Sequence, residues 1–277
     1  MTKFIAMAIA LLAAASPSRA QQVAAAASAT DAAIDAILLA ENATSYWEVS
    51  SGFDHSRGTY GALTPTTISF VPLGLAYRTG GLTLSVDAGF VHVKGPLDYI
   101  DVAELLGIRG AASALPRVVK GIGDSTIAAK YSVLEDFENG VFLDAGARLR
   151  VPTASRSRGL GTGHLAGELQ LDVLKVLGRW SVFANAGYGI RDRRDADRNP
   201  WSASVGLGRG LTDKLSAGAF YQWRQSLRQG GAAAHEMFAY VSHRFSDRFT
   251  LTVYGATGFS IESVDRQIGL RYSYRWP

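Results

Sequence analysis

The chain has 277 residues and a formal net charge of +4, is 47% hydrophobic and contains no cysteine. This length suits one large domain or two small ones, and the missing cysteines exclude disulfides, thiolate metal sites and cysteine nucleophiles. So weak a positive charge does not favour nucleic acid as a partner.

The first 20 residues have the pattern of an export signal. Lys3 forms a short basic region, residues 4–15 (FIAMAIALLAAA) form an apolar core, and Ser18-Arg19-Ala20 provides small residues before a cleavage point. The apolar core is too short for a spanning helix. We expect residues 1–20 to be a cleaved signal peptide. Losing its two cations from the total of +4 leaves +2 on the mature chain.

An alanine-rich segment follows at residues 21–43. Ile34, Ile37 and Leu38 form a short apolar stripe at helical spacing. This pattern favours a loose N-terminal periplasmic segment, and the alternative is a plug at the periplasmic mouth of whatever follows.

From residue 44 onward the apolar residues alternate with polar ones. In residues 141–151 (VFLDAGARLRV), one face carries valine, leucine and alanine, and the other carries Asp144, Gly146, Arg148 and Arg150. Such alternation predicts β-strands with one apolar face. About twelve segments share it, at 45–53, 67–78, 82–93, 125–134, 141–151, 165–176, 180–191, 201–211, 214–225, 236–245, 249–256 and 264–276.

The connections between these strands alternate in length. Short turns are predicted at 79–81, 135–140, 177–179, 212–213 and 246–247, and longer loops at 54–65, 94–124, 152–164, 192–200, 226–235 and 258–262. Short periplasmic turns and longer extracellular loops are typical of outer-membrane barrels, in which every backbone polar group pairs internally. We predict an all-β chain whose residues 44–277 form a closed antiparallel transmembrane barrel of about 12 strands. A soluble sandwich or lipocalin-like barrel is the alternative, but only 19% of the residues are charged and could coat it.

The polar face of the predicted strands becomes the lumen. The pore-lining candidates are Glu48, Asp87, Lys130, Asp144, Arg148, Arg150, Glu168, Gln170, Asp172, Arg191, Arg224, Arg271 and Arg275. Two interpretations stay open: ion pairs that stiffen the wall, which we favour, and a polar lining that selects solutes. Glycines recur on the same face, for example Gly206, Gly218 and Gly269, and are expected to leave room inside a narrow barrel.

One predicted loop is more apolar than the others. Residues 96–120 (PLDYIDVAELLGIRGAASALPRVVK) carry Tyr99, Ile100, Leu105 and Leu106. A long apolar loop is usually functional or folded inward. We therefore expect these four side chains to form a constriction in the pore.

Three stretches resemble one known family. Residues 121–131 (GIGDSTIAAKY) are similar to its G-x-G-D strand entry, and residues 149–163 (LRVPTASRSRGLGTG) to its Pro-Thr followed by a glycine loop. Residues 178–190 (GRWSVFANAGYGI) resemble the strand after these. The family is the outer-membrane transporter group named for the meta-pathway of phenol degradation. The resemblance implies a small outer-membrane barrel that passes aromatic or other hydrophobic small molecules.

The glycine run at residues 159–163 (GLGTG) is not interpreted as a nucleotide site, because both flanking segments alternate as strands and no helix follows. The sequence predicts no cofactor and no metal site. Its expected partners are outer-membrane lipid, lipopolysaccharide and a small-molecule solute, and it carries no signal for an oligomeric state.

Three functions are compared on this basis. The favoured one is a non-enzymatic channel or transporter. The second is a barrel hydrolase or lipid-modifying enzyme that uses a loop histidine, His55, His164 or His235, beside Ser56, Ser155 or Ser157. The third is a structural or adhesive barrel, with Arg156 and Arg158 contacting lipopolysaccharide phosphates.

Overall fold

The computed structural model describes residues 45–60, 64–95, 117–155, 160–161, 163–192 and 198–277. The predicted signal peptide (1–20) and periplasmic segment (21–43) lie outside these residues and stay predictions. Within the described ranges, no helix combines the length and apolar character needed to cross a membrane.

Thirteen β-strands make up the described chain. They are β1 (Tyr46–Gly58), β2 (Thr66–Thr79), β3 (Leu82–Gly95), β4 (Arg117–Ile122), β5 (Ser125–Asp136), β6 (Val141–Val151), β7 (Ala166–Leu177), β8 (Trp180–Ile190), β9 (Trp201–Gly210), β10 (Leu215–Arg224), β11 (Ala234–Arg244), β12 (Phe249–Gly258) and β13 (Arg266–Trp276). Twelve of them correspond to the twelve alternating segments predicted from the sequence.

The strands close into an antiparallel barrel. β13 returns to β1 along its whole length, from Trp47 opposite Trp276 to Arg57 opposite Arg266. β4 and β5 both pair with β3, at its two ends, so they share one position in the wall. The barrel therefore closes with twelve strand positions, β4 pairing with β3 alone among the described strands, and the predicted fold is confirmed.

The outward face of the barrel is apolar and exposed. Leu73, Val86 and Val205 are each more than half exposed. Exposing so much apolar surface to water would cost roughly 25 cal/mol for each Å². Tryptophans such as Trp47, Trp180 and Trp201 lie near strand ends on this face, where the interfacial belts of membrane proteins occur. The barrel thus has a lipid-facing outer wall, and its location is the outer membrane.

Two strand segments differ from the predicted loops. β1 continues to Gly58, although residues 54–65 were predicted as a loop. The segment Asp54-His55-Ser56-Arg57-Gly58 has no apolar residue to reveal its period, but its backbone pairs with β13 and β2. Similarly, β4 lies inside the predicted loop 94–124 and extends the wall beside β3. Both corrections raise the height of the wall at the long-loop end.

The two ends of the barrel differ as predicted. The turns after β2, β5 and β7 are short, and each has a glycine with positive φ: Gly80 at 53°, Gly140 at 64° and Gly178 at 62°. A residue with a side chain rarely adopts this conformation, which explains glycine at these turns. The longer connections, including those after β6 and β12, all lie at the opposite end, which is the extracellular one.

Candidate functional site

All thirteen predicted pore-lining residues lie in the barrel interior. Each lies on the inward-facing set of strand positions, except Arg191, which directly follows β8 and is 8% exposed. Position alone does not demonstrate a conducting path, so their role in a pore stays a prediction. Tyr99, Ile100, Leu105 and Leu106, the predicted constriction, lie outside the described residues.

Several of these side chains pair across neighbouring strands. Lys130 Nζ lies 2.7 Å from Asp144 Oδ2, which joins β5 to β6. Arg275 Nε donates to Glu48 Oε2 at 2.8 Å, which joins β13 to β1. We call the charged inward side chains of β13, β1, β5, β6 and β7 the polar wall. Direct pairing between strands agrees with the interpretation that the ions stiffen the barrel.

Glu168 is the most deeply buried carboxylate of the predicted set. It is 2% exposed, and one of its oxygens, Oε2, accepts no hydrogen bond from the described residues. Arg148 is its cross-strand partner on β6, and the charges of Arg191 and Arg150 also act on it. Glu168 is thus surrounded by three cations, and the carboxylate of Asp172 also acts on it.

Asp54 adds a polar contact that the sequence analysis missed. Its Oδ2 accepts a hydrogen bond from Tyr254 Oη at 2.6 Å and another from Gln267 Nε2. These bonds connect β1 with β12 and β13, the strands that close the barrel. The residue was assigned to a loop because the strand residues that follow it, up to Gly58, include no apolar side chain to show the alternation.

Five aromatic side chains pack inside the barrel as an aromatic cluster. They are Phe183, Phe220, Phe238, Tyr240 and Tyr254, and none is more than 7% exposed. The rings of Phe220 and Phe238 stack at 4.6 Å between centroids, and Phe183 meets Phe220 edge-on at 6.1 Å. Sequence reasoning treated the inward face as polar or glycine and missed this cluster.

Interior glycines give the aromatic rings their space. Gly218 is the cross-strand partner of Tyr240, and Gly269 is the partner of Tyr254. A Cβ at either glycine would collide with the tyrosine ring opposite, and one at Gly206 would collide with Phe220. Rings therefore lie flat over glycine on the neighbouring strand. The signal that could have revealed the cluster is an inward aromatic residue paired with an inward glycine.

A second buried group, the outer apolar cluster, lies at the long-loop end. It consists of Tyr60, Ile68, Val91, Val93, Val119, Leu160 and Val264. Tyr60, Leu160 and Val264 come from three different loops, and the other residues come from β2, β3 and β4. Loop residues thus cover part of the extracellular mouth with an apolar seal. Ala256 packs against both this cluster and the aromatic cluster.

The sequence motifs that resemble the known family, in residues 121–131 and 149–163, contact each other beside this seal. Ala154 N donates to Asp124 Oδ1 at 3.0 Å, and Ser125 N donates to Thr153 Oγ1 at 2.9 Å. Gly121 lies under Leu160, whose Cδ1 would be 2.5 Å from a Cβ at that glycine. The G-x-G-D and Pro-Thr segments therefore hold the loop after β6, and Leu160 of the glycine run points into the outer apolar cluster.

The histidines proposed for an enzyme have other neighbours. His55 faces outward and its Nδ1 lies 3.0 Å from Ser69 Oγ, while Ser56 faces inward. His235 contacts Tyr221 Oη. His164 Nδ1 lies 3.6 Å from Asp192 Oδ2. Ser157, Arg156 and Arg158 lie outside the described residues.

These features define a class: a small outer-membrane β-barrel with a mixed polar and aromatic interior. A family model described as "Putative MetA-pathway of phenol degradation" matches residues 68–276. The match covers most of the chain, which therefore belongs to this family. It begins well before Gly121, so the resemblance read from the sequence is confirmed and extends further toward the N-terminus.

Solved structures with the same architecture are outer-membrane barrels. An outer-membrane channel from Pseudomonas putida F1 has a TM-score of 0.59 at 17% identity, covering 85% of this chain and 96% of that one. The KdgM porin has a TM-score of 0.52 at 10% identity, covering 83% and 98%. The β-domain of the Bordetella autotransporter Brka has a TM-score of 0.51 at 17% identity, covering 85% and 100%. No curated protein sequence matches the chain. At these identities the likeness concerns the fold.

Proposed function

We propose that this protein is a passive outer-membrane channel for small hydrophobic molecules, in particular aromatic ones. The observation that carries the proposal is the arrangement of the two apolar clusters along the interior wall. The family's association with phenol degradation supports the aromatic class of solute. The proposal assigns no catalytic residue.

The two clusters lie on shared rows of cross-strand partners. One row runs from Leu174 through Phe183, Gly206, Phe220, Phe238 and Ala256. It continues through Gln267 and Ser56 to Ile68, Val93 and Val119. All of these residues except Gln267 and Ser56 are apolar or glycine, and we call the whole row the apolar band.

The apolar band climbs the barrel from one end to the other. Strands in a barrel are tilted, so a row of hydrogen-bonded partners spirals along the axis. Phe183 is the fourth residue of β8, counted from its turn, and Val93 is the third residue from the loop end of β3. The band thus connects the periplasmic half of the interior with the extracellular mouth.

The chemistry of the band suits an aromatic solute. A small aromatic molecule that leaves water for this surface gains apolar burial and ring contacts. The polar wall beside it keeps water and ions, because Lys130 is 40% and Asp144 is 21% exposed. We envisage solute entering at the outer apolar cluster and moving along the band as the aromatic rings, none of them more than 7% exposed, move aside, while ions follow the polar wall.

Ion current through the purified protein in planar bilayers tests this proposal. Phenol is added at increasing concentration, and myo-inositol serves as a polar solute of similar ring size. We expect phenol to reduce the current in a saturable way and inositol to have little effect. An absence of current would reject the channel. Equal effects of the two solutes would reject the aromatic preference.

A pair of isoleucine variants links the effect to the apolar band. Ile68→Ser places a hydroxyl where the band reaches the mouth, at a residue that is 2% exposed. Ile261→Ser makes the same change in a loop residue that is 66% exposed. We expect the phenol concentration for half-block to rise only for Ile68→Ser. The same shift in both variants would contradict the role of the band.

A further inference from the structure

The outward face of the barrel carries a group of cations at its extracellular end. Arg266, Arg57, Lys94 and Lys120 lie on β13, β1, β3 and β4, and all four are exposed. Arg57 is the cross-strand partner of both Arg266 and Thr67, and Thr67 is the partner of Lys94. Lys120 follows one row lower, opposite His92. We call these four residues the cationic outer patch.

The cations of the patch form no ion pair within the described chain, although the exposed Asp265, whose backbone N donates to Arg57 O, directly precedes Arg266. Arg57 and Arg266 lie directly opposite each other, and like charges at such positions repel. None of the four side chains forms an ion pair with another described residue. The described outward positions of β13, β1, β2, β3 and β4 carry no carboxylate. An anion from outside the protein would relieve this repulsion.

An apolar row on the same strands lies below the patch. It consists of Leu270, Phe53, Val71, Phe90 and Ile122, all between 39% and 64% exposed. One row of His55, Ser69 and His92 separates it from Arg57, Thr67 and Lys94. Strand residues rise about 3.3 Å each, so the upper row of the patch, four residues above the apolar row, lies about 13 Å from it along the strands. The patch therefore lies where the lipid chains end and the headgroups begin.

The other side of the barrel has a different rim. At the same end, the outward positions of β8, β9 and β10 carry Tyr188, Trp201, Tyr221 and Trp223, with no charge among their described residues. Rings of this kind anchor a barrel at any membrane interface. Among the described outward strand positions at this end, the cations thus lie on one side, which a general anchoring role would not require.

We propose that the cationic outer patch binds the phosphate groups of lipid A, the lipid part of lipopolysaccharide, in the outer leaflet. Arginine and lysine form strong charge-assisted hydrogen bonds to phosphate. The apolar row provides a surface for the acyl chains of the same molecule. A ligand with both phosphate and acyl chains fits these two observations better than free phosphate or an acidic protein does.

Lipid A binding to the full chain, refolded in detergent, tests the proposal. Diphosphorylated lipid A is titrated, and the temperature at which the folded barrel is lost is followed by its gel mobility. The variant Arg57→Gln/Lys94→Gln/Lys120→Gln/Arg266→Gln removes the patch. Lys175→Gln/Arg209→Gln is the control, because these outward cations lie at the periplasmic end.

We expect lipid A to stabilise the unmodified protein and the control variant, and the patch variant to bind it at least about tenfold more weakly. Dephosphorylated lipid A and inorganic phosphate at equal concentration are expected to stabilise neither. Equal affinity of the patch and control variants would overturn the proposal, as would equal binding of dephosphorylated lipid A. Stabilisation by inorganic phosphate alone would assign the patch to a free anion instead.

A variant with only two substitutions tests the proposal even if the fourfold variant does not fold. Arg57→Gln/Lys94→Gln removes one cation from each of two strands and keeps the other two. We expect about threefold weaker binding or more, with a weaker dependence on salt than in the unmodified protein. Unchanged affinity in this variant would also contradict the proposal. Ion conduction is not needed for any of these results, so the patch and the channel are tested separately.

Discussion

The polar wall and the aromatic cluster occupy opposite sides of one barrel interior and are built by the same alternation of residues. Lys130 in the polar wall is 40% exposed, whereas Phe238 in the aromatic cluster is 0% exposed. Around Lys130 and Asp144 the polar wall is hydrated, although Glu168 in the same wall is only 2% exposed, whereas the aromatic cluster is dry and closely packed. The interior is therefore a folded core on one side and a water-accessible surface on the other. The difference predicts that substitutions on the two sides affect different properties.

The largest effect is expected where the packing is tightest. Phe238→Ala removes a ring stacked on Phe220 and leaves a cavity, which should cost about 3 to 5 kcal/mol of unfolding free energy. Phe259→Ala, at a loop residue that is 66% exposed, is the matched control and should cost far less. Urea unfolding in lipid vesicles, followed by tryptophan fluorescence, measures both. Similar losses of unfolding free energy in the two variants would show that the aromatic cluster does not act as a packed core.

A somewhat smaller effect is expected at the extracellular seal. Leu160→Ala shortens a side chain that is 3% exposed within the outer apolar cluster, and should cost about 2 kcal/mol. Because Leu160 belongs to the seal, we also expect a higher single-channel conductance. Leu165→Ala, in the same hairpin but 58% exposed, should leave the conductance unchanged. A conductance that stays constant in Leu160→Ala would mean that this loop does not limit the path.

Phe220 shows why the fold could be predicted from the sequence, whereas the packing of the barrel interior could be predicted only in part. Lipid outside and a lumen inside require successive residues to be apolar and polar in turn, so this alternation identifies the strands in the sequence. Phe220 lies on the inward face between Gly218 and Gln222, and its burial depends on Gly206 of the next strand. That pairing follows from register, which strand periodicity does not reveal. The extracellular seal is even harder to predict from the sequence, because its residues Tyr60, Leu160 and Val264 come from three separate loops.

The polar wall should respond to substitution mainly through ion selectivity. Lys130→Gln leaves Asp144 without its cation, and the hydrated side of the interior becomes more negative. We expect a shift of the reversal potential toward cation selectivity and a loss of about 1 kcal/mol or less in stability, since both groups are partly exposed. Lys214→Gln, at an exposed periplasmic turn, should shift neither. A reversal potential that does not move would place the ion path elsewhere.

The smallest effect is expected outside the lumen, at the ion pair of Arg179 and Asp213. Its atoms are 3.6 Å apart, and the two side chains are 63% and 88% exposed. Water screens such a pair, so Arg179→Ala should change the unfolding free energy by less than about 0.5 kcal/mol and leave selectivity unaltered. The pair of Lys130 and Asp144 involves the same kinds of charge, but it faces the lumen at 2.7 Å. If Arg179→Ala altered stability and selectivity as much as Lys130→Gln, the charge of the protein as a whole would explain both results. A difference between the two variants would instead assign the effect on selectivity to the polar wall itself.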